Sequence, residues 1–288
     1  MIEDSQQAFT MLVCLAHPDD ETFGMGGTLA LYARRGVQVH LVCATRGEVG
    51  EVDQDLLQGF SSVAERRESE LLCAAGTLGL AGVYFLGYRD SGMPGSPDNR
   101  HPNALAAQPV DVVASRVVHY IRLLHPQVVV TFDPIGGYKH PDHIAIQQAT
   151  ARAFNLAADP GFISDLPAFH ARKLYYQTMP KDWLRWSVRL ASLFGMDPHH
   201  LGRNRDIDIA TVLEEGNFPI HARINCRRVR EVRDEATACH ESQLAGAMGR
   251  NGPMALLRRY FGNTESFMRA EPPPENRLRE NDLFEGVS

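Results

Sequence analysis

The sequence predicts an α/β fold: a mostly parallel sheet with helices on both faces, followed by a less regular C-terminal portion. Short apolar runs alternate with stretches of helical period through the first 157 residues. Those runs are nearly continuous, as in strands buried on both faces. Acidic and histidine-bearing segments also follow four of them, at 17–21, 46–51, 89–93 and 136–143. Ligands of parallel sheets bind beyond the carboxyl ends of the strands, so these positions are where chemistry is expected.

Each element has its own signal. "MLVCLA" (11–16) reads as a short strand, and "GTLALYARR" (27–35) has helical spacing. "VQVHLVCAT" (37–45) is a β-branched strand, and "VAERRESELLCAAGTLGL" (63–80) is a strongly amphipathic helix. "VYFLG" (83–87) is the third strand, and "PVDVVASRVVHYIRLL" (109–124) is a helix opened by proline. "QVVVTFD" (127–133) and "DHIAIQQATARAFNLA" (142–157) add a strand and a helix. Beyond residue 160 the pattern weakens. "KLYYQTM" (173–179) reads as a strand, 195–206 as a loop and "CRRVREVRDEATACH" (226–240) as an exposed helix. The proline- and charge-rich end predicts a tail that runs over the surface or frays. The expected organisation is a core over 1–160 that carries the site, a continuation of the same domain over 161–270 that completes the sheet and cleft, and an extended tail over 271–288.

Composition narrows the class. In 288 residues, 44% are hydrophobic and 22% charged, which suits a globular chain with a sizeable core. A net charge of -6 argues against a dedicated nucleic-acid binder, which usually shows a basic face. The acidic start "MIEDSQQAFT" lacks the features of a signal peptide, and no apolar run approaches the roughly 18–20 residues of a membrane span. A cytoplasmic location is therefore expected. The five cysteines (14, 43, 73, 226 and 239) are odd in number, form no CxxC pair and lie mostly in apolar runs. That predicts buried reduced thiols rather than disulfides or cysteine–zinc ligation.

Two histidine-bearing segments stand out. "HPDDE" (17–21) and "KHPDH" (139–143) each follow a predicted strand and each contain H-P-D. Together they could join His17, Asp20 and His143. Two imidazoles and a carboxylate with an open fourth position form the ligand set of a catalytic zinc site, and Fe(II) suits the same set. A solitary histidine is more often a surface or satisfied core residue, so His40, His101, His119, His125, His170, His221 and the pair His199–His200 are read that way. "GMGGTL" (24–29) resembles a dinucleotide fingerprint, but Leu29 replaces its third glycine and the preceding acids would repel a pyrophosphate.

With these motifs in view, the chain resembles the LmbE-like, or PIG-L, family of zinc-dependent deacetylases. The matching segments are "AHPDDE" (16–21), "TRGEVGE" (45–51), "RESEL" (67–71), "YRDSGM" (88–93), "GGYKHPDH" (136–143) and, more weakly, "HESQ" (240–243). The resemblance implies a Rossmann-like fold and zinc ligands at His17, Asp20 and His143. It implies a general base at Asp19, an oxyanion-stabilising or amine-protonating histidine at His140, and a tyrosine at Tyr138 that helps polarise the amide carbonyl. Asp142 joins the catalytic set, because His140 would carry a proton near neutral pH if Asp142 or Asp133 lies close to it. Arg67 and Asp90 match residues that hold sugar hydroxyls, with Glu48 and Arg46 at the rim. The implied reaction removes the N-acetyl group from an N-acetylglucosamine conjugate, and the implied partner is that small molecule. The rivals are amide cleavage in a thiol conjugate, as in the mycothiol S-conjugate amidases, and a sugar-binding module without chemistry. A pure binder has no need of Asp19, His140 and Tyr138. A homo-oligomer remains open.

Overall fold

The computed structural model describes residues 8–178, 218–244, 263–275 and 278–287. Its seven-stranded sheet has the order β3-β2-β1-β4-β5-β7-β6. The strands are β1 (Thr10–Leu15), β2 (Gln38–Cys43), β3 (Gly82–Phe85), β4 (Val128–Phe132), β5 (Lys173–Thr178), β6 (Ala222–Asn225) and β7 (Thr264–Glu271). β1 to β5 pair in parallel, while β7 and β6 add to the β5 edge antiparallel. Residues 11–16 are wholly buried, as a central strand covered on both sides requires.

The helices are α1 (Asp20–Arg34), α2 (Val63–Leu78), α3 (Val110–Leu124), the single turn α4 (Gly136–Lys139), α5 (Pro141–Ala158) and α6 (Arg230–Cys239). α1, α2 and α6 pack against one another, and α3 packs on α5. β1 has β2 on one side and β4 on the other. The chain order therefore reverses between β1 and β4, and a crevice opens at the carboxyl ends of these two strands. The two histidine segments follow those strands.

The first helix begins at Asp20, earlier than the expected 27. Asp20 and Glu21 occupy its first turn, where the exposed peptide N–H groups favour negative charge. The glycines of "GMGGTL" lie inside this helix. A Cβ on Gly27 would stand 2.5 Å from the Cβ of Cys226, so the glycine serves close packing rather than phosphate binding. The helix α2 starts at Ser62, whose hydroxyl accepts from the Glu65 N–H at 3.2 Å, and ends at Gly79 in the left-handed region.

Two expectations are corrected. Cys73 of α2 and Cys239 of α6 form a disulfide, while Cys14, Cys43 and Cys226 are free and buried. Spacing along the chain conceals this pair because packing of α6 on α2 brings together residues 166 apart. The described part of the tail does not fray. Leu283 is fully buried, Phe284 nearly so, and Glu280 pairs with Lys173 at 2.7 Å and Arg269 at 3.0 Å. Glu280 finds partners on the strands β5 and β7, and Phe284 packs against Phe9 and against Tyr32 of α1, none of which the tail sequence alone reveals. The loop expected over 195–206, with His199 and His200, lies outside the described residues.

Candidate active site

At the end of β1, the chain passes through Pro18 into Asp19, which has φ 118° and ψ -28°. A non-glycine residue held there costs on the order of 1–3 kcal/mol, and such strain gathers at functional sites. The turn presents His17, Asp19 and Asp20 over the crevice. After β4, positive φ at Gly136, Gly137 and Lys139 turns the chain back, and Pro141 begins α5 with Asp142 and His143 in its first turn.

The two segments meet. His17 Nδ1 lies 3.2 Å from His143 Nε2, which lies 3.3 Å from Asp20 Oδ1, and Asp20 Oδ2 lies 3.6 Å from His17 Nδ1. The outer nitrogen of each ring has its own acceptor. His17 Nε2 faces Asp142 Oδ2 at 3.1 Å and Asp90 Oδ1 at 3.5 Å, and His143 Nδ1 faces the Gly136 carbonyl at 3.2 Å. Donation on those sides leaves two imine lone pairs directed at each other beside a carboxylate. A proton between the rings or a cation among the three relieves that repulsion. Tetrahedral ligands at about 2.0–2.1 Å from zinc stand roughly 3.3 Å apart, close to the observed spacing. Phe132 stacks on the His143 ring at 4.0 Å and fixes its plane.

His140 also approaches, with its ring 4.5 Å from that of His17 and 5.0 Å from that of His143. The three histidines and, on the far side of His17, the set His17–Asp90–Asp142 are both close enough to hold an ion. The second set uses His17 Nε2, and Asp142 in it is already bound by the Ser91 N–H at 2.8 Å and the Ser91 hydroxyl. It therefore reads as the support that orients His17.

The electrostatics follow from burial and these neighbours. Burial opposes a charge on His17, but Asp90, Asp142 and Asp20 outweigh it and push its pKa well up. Burial would raise Asp20, yet His143 and His17 hold it well below the usual carboxylate range. Asp19 is pushed up to about 6 by burial and by Asp20, against the pull of Arg67. Burial, with His17 and His143 nearby, drives His140 down to about 2. The sequence expects the Asp142 carboxylate beside His140, and the contacts differ. The Nδ1 of His140 accepts the Asp142 backbone N–H at 3.2 Å, and the Asp142 carboxylate turns to His17 and Ser91 instead. Since that N–H can only donate, the neutral ring of His140 carries its proton on Nε2.

Tyr138 lies edge-on to both rings, at 6.0 Å from His140 and 5.0 Å from His143. Arg67 is 4% exposed, and its guanidinium is engaged by protein. It donates to the Pro18 carbonyl at 2.7 Å, the Asp19 carboxylate at 3.1 Å and the Gly47 carbonyl at 3.2 Å. Asp90 accepts from the Gly92 N–H at 2.8 Å and stands beside His17, while Glu48 accepts from the Asp90 N–H at 3.0 Å. Arg46 pairs with Glu68 at 3.1 Å on the exposed side. Sequence reasoning missed Ser91, and it missed that Glu21 is fully buried against His240 at 2.6 Å. The "HESQ" match was the only signal for His240.

The family model described as "PIG-L: GlcNAc-PI de-N-acetylase" matches residues 12–154. A relative from Acidothermus cellulolyticus, named 1D-myo-inositol 2-acetamido-2-deoxy-alpha-D-glucopyranoside deacetylase, is 33% identical over 96% of this chain and 95% of its own length. N,N'-diacetylchitobiose deacetylase from Pyrococcus horikoshii superposes with TM-score 0.64 at 21% identity, covering 94% of this chain and 88% of that one. The hydratase GalB from Pseudomonas putida superposes with TM-score 0.58 at 20% identity, covering 94% and 99%. The fold alone therefore does not select the chemistry. The relative that matches almost the whole chain is named a deacetylase. The chain belongs to the PIG-L, or LmbE-like, family. No described helix is long and apolar enough to cross a membrane.

Proposed function

We propose that the chain removes the acetyl group from an N-acetylglucosamine unit joined to a polyol, with a metal held by His17, Asp20 and His143. The close approach of His17 Nδ1 and His143 Nε2 at 3.2 Å, with one Asp20 oxygen 3.3 Å from His143 and the other 3.6 Å from His17, carries the reading of the chemistry. The sugar–inositol substrate rests on the name of the relative that matches almost the whole chain. Zinc fits this donor set, and so does Fe(II). Such an ion, when bound, supplies a water of lowered pKa and polarises the amide carbonyl.

The remaining work falls to side chains. Asp19, raised to about 6, takes the proton of the attacking water and returns it to the departing nitrogen. Arg67 holds that carboxylate and the Pro18 carbonyl behind it, which fixes the direction of the base. His140, neutral with its proton on Nε2, donates a hydrogen bond to the oxyanion as it forms. Tyr138, edge-on to that ring, is read as helping to polarise the carbonyl. Asp90, buried beside His17, is read as the residue that receives a sugar hydroxyl.

The test is acetate release by metal-reconstituted protein from an N-acetylglucosaminyl inositol, set beside free N-acetylglucosamine and an acylated thiol conjugate. Acetate from the inositol substrate is expected in preference to the other two. Cleavage of the thiol conjugate alone would favour the amidase reading, and no cleavage at all would favour a binding module. In parallel, His143→Ala should lose its equivalent of bound metal by elemental analysis. Full metal in that variant would refute the ligand set.

A further inference from the structure

Glu21 is an odd residue to bury. It is fully shielded from solvent on the first turn of α1, and each carboxylate oxygen has a separate partner. Oε2 accepts the backbone N–H of Asp19 at 3.0 Å, and Oε1 lies 2.6 Å from Nε2 of His240. His240 is equally buried, and its Nδ1 has no hydrogen-bond partner among the described residues. Among the described residues, the ring makes its hydrogen bond to Glu21, 219 residues away in the chain. A buried carboxylate that binds the very peptide of a strained residue acts on the strain.

The segment that brings His240 in is itself fastened to α2. The Ser242 N–H and hydroxyl bond the Glu70 carboxylate at 2.9 and 2.6 Å, Arg66 bonds Glu70 at 2.8 Å and Glu241 at 2.9 Å, and Cys239 is bridged to Cys73. The helix α2 also supplies Arg67, which grips the Asp19 carboxylate from the opposite end. Asp19 is therefore held at two points: by Arg67 at its carboxylate and by Glu21 at its peptide nitrogen. Without an anchor, a Glu side chain has rotamer freedom and no reason to keep one oxygen on that nitrogen.

We infer that His240 is a positioning residue that acts through Glu21 to hold Asp19 in its left-handed conformation, aimed at the attacking water. The inference rests on the reading of Asp19 as the general base. His240 hydrogen-bonds Glu21, which is not among the proposed metal ligands. Its contribution is the angle at which the base meets the water, and an error near 1 Å in such a group can cost about a hundredfold in rate.

The experiment is a double-mutant cycle on the metal-loaded protein, reading kcat, KM and metal content with the N-acetylglucosaminyl inositol or whichever acetylated sugar proves to be turned over. His240→Leu should lower kcat by about tenfold to a hundredfold, with KM and metal content near those of the parent. In the Asp19→Ala background the same change should have little further effect, because the residue it positions is gone. His240→Gln, whose amide N–H still reaches Glu21, should recover most of the lost kcat. If His240→Leu does not fold, Glu21→Gln/His240→Leu replaces it, since it buries no unpaired charge, and the same fall in kcat is expected. An equal fall in the parent and Asp19→Ala backgrounds would overturn the inference, as would metal lost in step with activity. Asp19→Ala alone separates the two ideas: activity within a few-fold of the parent would remove the base reading itself.

Discussion

Asp19 and Arg67 show how much one side chain's setting decides. The resemblance places Arg67 among sugar-binding residues, while its three contacts are to Pro18, Gly47 and Asp19, all within the protein. The guanidinium is a planar fork that can serve several acceptors at once, and an ammonium is a point donor that cannot reproduce the set. Arg67→Lys should therefore lower kcat with little change in KM, because the orientation of the base is lost rather than substrate affinity. Steady-state kinetics check this, and a raised KM at constant kcat would return Arg67 to the sugar. His140 gives the complementary lesson. The sequence places Asp142 beside it, yet Asp142 presents its backbone N–H to the ring and its carboxylate to His17 and Ser91. Neighbours in the chain are not neighbours by carboxylate, because the first turn of a helix sends successive side chains in different directions.

At the scale of elements, the packing of α6 against α2 matters most for the site. The two histidine motifs were legible because each lies in one short loop after one strand, where spacing alone limits the geometry. His240 was not, since its value depends on a helix that arrives 219 residues after Glu21. The Cys73–Cys239 bridge strengthens that junction. Closing a loop this long restricts the unfolded chain, and bridges of this kind typically add about 2–4 kcal/mol. Cys73→Ser should therefore lower the melting temperature by several degrees and make it insensitive to reductant, as calorimetry with and without dithiothreitol would show. A melting temperature equal to that of the oxidised parent would mean that the bridge contributes nothing to stability.

Across the whole molecule, the C-terminal segment closes the sheet's antiparallel edge. Glu280 lies between Lys173 of β5 and Arg269 of β7 and also accepts from the Tyr175 hydroxyl at 2.7 Å. Lys173 and Glu280 are both nearly inaccessible to solvent. Removing one member of a buried pair strands the other charge, at a cost of about 3–5 kcal/mol. Glu280→Ala should lower stability to chemical denaturation by that order, while metal binding by the folded protein stays intact because the crevice lies at β1 and β4. A loss below about 1 kcal/mol, the usual value for exposed pairs, would show that the cluster is open to water.

The sequence alone determined the alternation of strands and helices through α5, the parallel half of the sheet and the two loops that carry His17, Asp19, Asp20, His140 and His143. These features are local: hydrophobic period sets each element, and a ligand motif confined to one turn survives without knowledge of the rest. Only the tertiary structure decided that β6 and β7 pair antiparallel, that the tail is packed, that two cysteines meet, and that Glu21 faces His240 rather than solvent. Each of those depends on contacts between segments distant in the chain, where side chains acquire or lose charge and partners according to what arrives beside them. The protonation of His140 belongs with them, because burial and two neighbouring imidazoles govern it, and no spacing along the chain records either.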